Sequence, residues 1–366
     1  MNNGAEADAS MGCPACGEPI GPADRWCEVC GASLSAALPA TAHAGARWSS
    51  PDASPPADIG PTGGRMDGPR RSAVGGTACP ACGALTSGDD SWCGRCQRAW
   101  APPRHHHEVV DGPVAAVTDQ GKRHWRNEDA VGVQWVEGHP GGFALVVCDG
   151  ISVSQDPHVV AQVAVNSALR VLSGAVAAAG DLGVAMAEAS AAAQRAAAAV
   201  PHDPTLDVGP GACTLVAAVV RGAWAAFASV GDSRAYWVDA HGAVQIGQDD
   251  SVAAELMASG HLTAAQAMER PQAHALTKWL GVDAGDDAPN VTVVELPGPG
   301  IVVLASDGLW KYAPTPEDMA RLIGPVGVET TIDLARRLAS FANASGGADN
   351  ITVAVGAHGI NQSEGR

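Results

Sequence analysis

Phe143-Ala144-Leu145-Val146-Val147-Cys148-Asp149-Gly150 is the stretch from which the fold is read. Its apolar run, with two adjacent valines, predicts a buried strand. The strand ends in an acid and a glycine, so a carboxylate stands where backbone and ligand can approach closely. Taken alone, Asp-Gly after a strand is an ordinary hairpin turn. The figure recurs at Ile301-Val302-Val303-Leu304-Ala305-Ser306-Asp307-Gly308. A third acid, Asp349, lies between the Gly346-Gly347 turn and a predicted strand over 351–355. Three carboxylates at strand edges, far apart in sequence, predict convergence on hard cations such as Mg²⁺ or Mn²⁺.

Five short motifs then fall in one order: Asn127-Glu128-Asp129-Ala130, Val147-Cys148-Asp149-Gly150, Gly231-Asp232-Ser233-Arg234, Ala305-Ser306-Asp307-Gly308 and Gly347-Ala348-Asp349-Asn350. Together they resemble the PPM/PP2C family of metal-dependent protein serine/threonine phosphatases in its bacterial form, over residues 113–357. The resemblance implies an α+β fold: a four-layer α-β-β-α sandwich, with helical pairs covering both outer faces of two mostly antiparallel sheets. It also implies a hydrolase that removes phosphate from phosphoserine and phosphothreonine on proteins, counteracting Ser/Thr kinases in signalling. In that frame Asp149 bridges two Mn²⁺ or Mg²⁺ ions. Asp307 and Asp349 complete one ion, and the Gly150 carbonyl with waters completes the other. Asp129 and Glu128 orient metal-bound water from behind the ligands, Asn350 orients Asp349, and Asp232 can hold a third, weakly bound ion.

The chemistry accounts for these residue types. Phosphomonoester hydrolysis is among the slowest uncatalysed reactions, so its catalyst must lower a very large barrier. Two divalent ions about 3.5–4 Å apart share a carboxylate and a water, and they lower that water's pKa. Few protein ligands suffice, because Mg²⁺ keeps several of its waters. The loop 119–129 sets cations for a phosphate dianion beside acids for the metal. Two departures stand out against the family. An arginine three residues after the loop glycine commonly grips the phosphate, and His124 holds that place, flanked by Arg123 and Arg126. Any of the three is a candidate for the grip. After Asp149-Gly150, relatives continue Met-Gly-Gly, whereas this chain has Ile151-Ser152-Val153-Ser154. These departures keep open a second reading, a weakly active or inactive scaffold on the same fold.

The formal net charge of −17 argues against a nucleic-acid or anionic-membrane partner. No run of 18 uninterrupted apolar residues and no basic-then-apolar leader is found, so a cytoplasmic protein without a membrane partner is expected. Eight of the ten cysteines fall into two identical frames. Cys13-x2-Cys16-x10-Cys27-x2-Cys30 is repeated as Cys79-x2-Cys82-x10-Cys93-x2-Cys96. Each frame supplies four thiolates for one tetrahedral, structural Zn²⁺, with rubredoxin-like iron as the lesser alternative. Segments this short lack an apolar core, so metal would supply their folding energy. Four thiolates leave no open coordination position, which points to protein-partner binding rather than catalysis. The remaining pair, Cys148 and Cys213, reads as core.

The chain divides accordingly. Residues 10–32 and 77–100 are zinc-ribbon-like modules, and 33–76 is a flexible Pro/Gly/Ala/Ser linker. Residues 101–112, with His105-His106-His107, read as a solvated connector, and the phosphatase domain spans 113–358. Within it, apolar spacing predicts helices over 157–172, 183–199, 316–323 and 329–342. Strands are expected at 114–118, 211–220 and 223–230, the last two as a hairpin around Arg221-Gly222. Residues 249–280 match the mobile flap of bacterial relatives, and 359–366 read as frayed.

Overall fold

Side chains alternate across a strand, and here both sets are apolar in the central strands, which requires cover on both faces. The computed structural model describes residues 105–136, 142–261, 275–285 and 288–360. It also describes positions 95, 263 and 266 and four two-residue strands nearer the N-terminus. Eleven strands form two antiparallel sheets. In chain order they are β1 His106–Asp111, β2 Val114–Asp119, β3 Ala130–Trp135, β4 Phe143–Cys148, β5 Leu215–Arg221 and β6 Trp224–Val230. β7 Arg234–Asp239, β8 Gly242–Ile246, β9 Asn290–Glu295, β10 Gly300–Ala305 and β11 Ile351–His358 follow. One sheet has the order β9-β6-β5-β4-β3 and the other β8-β7-β10-β11-β2-β1.

The alternation sorts the core into three layers. Phe143, Leu145 and Val147 of β4 face Val302 and Leu304 of β10 between the sheets. Ala144, Val146 and Cys148 face outward, onto helices α1 (Pro157–Ala177) and α2 (Leu182–Ala198). On the opposite face, Ile301, Val303 and Ala305 pack beneath α5 (Pro316–Ile323) and α6 (Thr331–Ala344). The four-layer α-β-β-α sandwich implied by the sequence is therefore present. Each buried Val or Leu side chain contributes about 1.5–3 kcal/mol, so these layers supply the driving force.

Local signals set the helix ends. Pro316 occupies the first turn of α5, where Thr315 and Asp318 form a reciprocal capping box. The Val184 N–H donates to the Asp181 carboxylate (2.9 Å) at the start of α2. α1, at 21 residues, is long and apolar enough to cross a membrane by length and composition. The requirement for an uninterrupted apolar run does not flag it. Its apolar face, including Val160, Val163, Ala164 and Leu172, is buried in the core beneath the five-stranded sheet.

One expectation is corrected. The stretch 106–111, read as solvated connector, is the edge strand β1, paired with β2 from His106↔Asp119 to Asp111↔Val114. Its cause is local pairing: Gly112 takes φ 60° in the connecting turn, and Trp135 N–H donates to Asp111 (2.9 Å). Arg336 of α6 clasps Glu108 with two nitrogens (2.7 and 3.0 Å). The sheet therefore begins seven residues before the sequence boundary at 113.

Nearer the N-terminus, Met11–Gly12 pairs with Pro19–Ile20, and Thr77–Ala78 pairs with Leu85–Thr86. Each hairpin encloses the first Cys-x2-Cys of one repeat, in equivalent register. The eight repeat cysteines, and residues 361–366 of the tail expected to fray over 359–366, lie outside the described residues.

Candidate metal centre

Antiparallel order brings the acids to one end of the sandwich. Asp149 follows β4 where Asp129 precedes β3, and these strands pair as Ala130↔Cys148. Asp307 follows β10 where Asp349 precedes β11, and these pair as Ala305↔Val353. Asp232 follows β6 at the same end, where Leu215 of β5 opposes Val230. Sequence separations of more than 200 residues thus close into one cluster through strand topology alone.

The predicted strand over 211–220 is interrupted at Thr214, and the break serves the site. Asp149 N–H donates to Thr214 Oγ1 (3.0 Å), and Thr214 N–H donates to the Asp149 carbonyl (2.7 Å). Thr214 Oγ1 in turn contacts Ser233 Oγ at 2.8 Å, which ties Asp149 to the motif carrying Asp232. Gly150 forms a bridge with Cys213. The flanking bonds use Ile151 N–H and the Asp149 carbonyl, so the Gly150 carbonyl is turned away from that ladder. A Cβ on Gly150 would meet the Glu128 carbonyl at 2.7 Å.

Asn350 organises the 120–128 loop. Its Oδ1 accepts from Glu128 N–H (2.7 Å), and its Nδ2 donates to the Gln120 and Arg126 carbonyls (2.8 and 3.0 Å). Only its backbone N–H reaches Asp349 (2.8 Å), so the side chain positions a loop rather than the acid, contrary to expectation. Asn127 Nδ2 donates to Thr118 Oγ1 (2.9 Å) and its Oδ1 accepts from Asp129 N–H (3.2 Å). On the opposite side, Asp250 of the flap accepts from Gly231 N–H (3.2 Å) and pairs with Lys278 (3.2 Å), steadying the turn before Asp232.

Electrostatics follow from crowding. Burial, then repulsion from Asp129, Asp307, Asp349 and Asp232, raises the Asp149 pKa well above the usual carboxylate range. Burial, with Asp349 and Asp307 nearby, lifts Asp129 to about 7. Burial and Asp307 lift Asp232 to about 8. Burial likewise raises Glu128, partly offset by the Ser152 hydroxyl donating to it (2.5 Å). Asp349 behaves differently: burial opposes its ionisation, but His124 at 3.0 Å holds its pKa below the usual range. His124 is raised in return, Asp349 outweighing the burial that would lower it.

Both oxygens of Asp129 and Oδ1 of Asp307 are buried with no partner at full hydrogen-bonding geometry, although the Thr352 and Ser306 hydroxyls lie near Asp129 and the Asp149 carboxyl lies near Asp307. Orphaned carboxylate oxygens are costly, and a hard divalent cation satisfies them. The all-oxygen donor set of Asp149, Asp307, Asp349, Asp232 and the Gly150 carbonyl fits Mg²⁺ or Mn²⁺. Among the described residues, no three carboxylate, imidazole or thiol groups are already drawn together as a ligand set. Asp307 and Asp349 are instead paired with internal cations, Lys311 Nζ at 2.5 Å and His124 Nε2 at 3.0 Å.

Of the three phosphate-grip candidates, His124 is engaged with Asp349 and Arg123 is exposed on the loop. Arg126 lies at the rim, stacked over Trp125 (4.3 Å) and donating to His158 (2.9 Å to Nδ1). Burial and the Arg126 charge depress the His158 pKa to about 4, so this imidazole is a neutral acceptor. Sequence reasoning does not single out Lys311, Thr214 or His158. Only Lys311 carries a local signal, its i,i+4 spacing from Asp307.

The profile of the protein phosphatase 2C family matches residues 120–339, and that of the double zinc ribbon matches residues 13–97. The serine/threonine phosphatase stp of Listeria monocytogenes is 34% identical over 140 residues, which are 38% of this chain and 54% of that one. The chain thus spans about half the length of the curated relatives it matches. The crystal structure of the Mycobacterium tuberculosis serine/threonine phosphatase PstP/Ppp superposes with a TM-score of 0.56 at 27% identity. That match covers 67% of this chain and 97% of the other. A catalytic domain of PstP in complex with two manganese ions gives 0.51 at 25% identity, with the same coverage. With the family profile spanning more than half of its 366 residues, on a sandwich whose acids meet at one end, this chain belongs to the protein phosphatase 2C family.

Proposed function

We propose that the sandwich hydrolyses phosphoserine and phosphothreonine on proteins, with Mn²⁺ or Mg²⁺ held by the acidic cluster, opposing Ser/Thr kinases. The observation that carries this reading is the convergence of Asp129, Asp149, Asp232, Asp307 and Asp349 at one end of the sandwich, with carboxylate oxygens buried short of full hydrogen bonding, beside an Asp149 that its neighbours cannot let ionise alone. Bound divalent ions would supply Lewis acidity and a water of lowered pKa. Asp149 would bridge two of them, Asp307, Asp349 and the Gly150 carbonyl would complete their shells, and Asp232 would serve a third. Asp129 and Glu128 orient water from behind. Thr214 fixes the Asp149 backbone, and Asn350 holds the loop that presents Arg126 at the rim. Arg126 is the favoured phosphate grip, because His124 is committed to Asp349.

The N-terminal repeats are read as two structural zinc sites, Cys13, Cys16, Cys27 and Cys30 for one and Cys79, Cys82, Cys93 and Cys96 for the other. Their match to double zinc ribbons supports this, and we assign them to holding a protein partner, kinase or kinase substrate. The acidic balance supports a cytoplasmic protein that binds neither nucleic acid nor membrane. A second reading, the weakly active scaffold, is favoured by one observation: Asp307 and Asp349 each carry an internal cation. The deciding experiment is hydrolysis of a phosphothreonine peptide by the purified chain, with Mn²⁺ and with EDTA. Turnover with Mn²⁺ that EDTA abolishes supports the enzyme. A folded protein that binds Mn²⁺ without turnover supports the scaffold.

A further inference from the structure

Lys311 is unexplained by the reading above. It follows the single helical turn Asp307–Trp310 (α4), so its side chain folds back four residues onto Asp307. The Nζ–Oδ2 distance is 2.5 Å, and the Lys311 side chain is 40% exposed. The turn is fixed from behind. Arg234 stacks on Trp310 (3.6 Å), donates to the Pro314 carbonyl (2.9 Å) and is bound through Nε and Nη2 to Asp249. Its hydrogen bonds go to Asp249 and the Pro314 carbonyl, and it reaches Asp232 only through its charge at longer range. Among the described residues, the side chains in ion-pair contact with the five clustered aspartates are Lys311 and, when protonated, His124.

We propose that Lys311 is a tethered counter-cation that holds the Asp307 carboxylate in metal-free protein and must be displaced before a divalent ion can use it. This rests on the metal-centre reading above. The Lys311 ammonium meets Oδ2 of Asp307 and leaves its Oδ1 and both Asp129 oxygens buried without a well-formed hydrogen bond, so one positive charge stabilises the cluster only in part. A divalent ion brings twice the charge and several coordination positions, and it wins where its concentration suffices. The Lys311 side chain is partly exposed, so the ammonium can swing outward into solvent when it leaves Asp307. The consequence is a loading threshold: metal enters against a resident cation, and Lys311 stays at the rim as a cation beside the phosphate.

The test uses the full-length chain, titrated with Mn²⁺ by calorimetry, as wild type, Lys311→Gln and Lys311→Arg. Removing the competitor should tighten Mn²⁺ binding by roughly tenfold or more, the worth of one charge-assisted contact. Lys311→Arg should stay near wild type. Acetylation of Lys311 in the wild type, read by mass spectrometry, should be low without metal and rise as Mn²⁺ saturates. This labelling decides the matter if metal-free Lys311→Gln fails to fold. Wild-type affinity in Lys311→Gln, or labelling that does not rise with Mn²⁺, overturns the proposal and leaves the metal centre standing. If neither wild type nor variant binds Mn²⁺, the metal-centre reading fails and takes this proposal with it.

Discussion

Asp129 and Asp232 illustrate how a site for cations behaves without them. Their pKa values, about 7 and about 8, lie above those of an unfolded chain. The stability that each neutral carboxyl contributes is complete below the unfolded value, near 4, and is lost as pH rises through the folded one. His124, raised above 6.5, acts in the same direction. His158, depressed to about 4, acts oppositely but only below about 6.5. Metal-free protein should therefore lose thermal stability between pH 6.5 and 8, and saturating Mn²⁺, which keeps these carboxylates ionised in the folded state, should remove their share of the slope. Melting curves in EDTA that rise over that window would refute the assignment. A second expectation concerns the rim. Arg126→Ala should raise KM for a phosphopeptide roughly tenfold or more with kcat less affected, whereas His124→Ala should act through metal affinity. Steady-state kinetics at several Mn²⁺ concentrations separate the two.

Among the elements, legibility followed burial. The central strands β2, β4, β5, β6, β10 and β11 and all four long helices can be read from the sequence, because their apolar pattern is forced by two covered faces. Four of the five strands that escape it, β1, β3, β8 and β9, are sheet edges. Their one-sided burial leaves polar runs such as His106-His107-Glu108 that look like connector. The fifth, β7, follows β6 after a three-residue turn too short to separate them by pattern. The placement of Asp149, Asp232 and Asp307 at strand ends was legible from the glycine beside each, that of Asp349 from the Gly346-Gly347 turn before a strand, and that of Asp129 from the motif resemblance. Thr214, His158 and Lys311 were not, and Asn350 was given the wrong task, since their roles depend on partners that only the tertiary fold supplies. Deleting 105–111 should bare the β2 edge, lower the melting temperature and promote aggregation, as calorimetry and light scattering would record. Glu108→Ala, which removes a surface pair with Arg336, should cost no more than about 1 kcal/mol.

At the scale of the whole molecule, the sandwich for which we propose phosphatase activity is joined to N-terminal repeats that match double zinc ribbons over residues 13–97. We propose from its composition that 33–76 is a flexible tether between the two repeats, and such a linker passes little strain from the first repeat to the rest of the chain. A tether still raises the local concentration of whatever a ribbon holds, to about the millimolar range. Replacing Cys13 and Cys79 by Ser should therefore lower zinc content without changing the turnover of a small aryl phosphate, while slowing a large phosphoprotein chiefly through KM. Loss of aryl phosphatase activity in a folded variant would make the repeats part of the catalytic unit.

All of this depends on one carboxylate standing between two cations. The most direct test is the rate at which Asp149→Asn hydrolyses an aryl phosphate at saturating Mn²⁺, beside wild type and with folding checked by circular dichroism. The account predicts a loss of more than about a hundredfold, the scale of removing a preorganised electrostatic partner from a transition state. A folded Asp149→Asn protein that keeps most of the wild-type rate would contradict it.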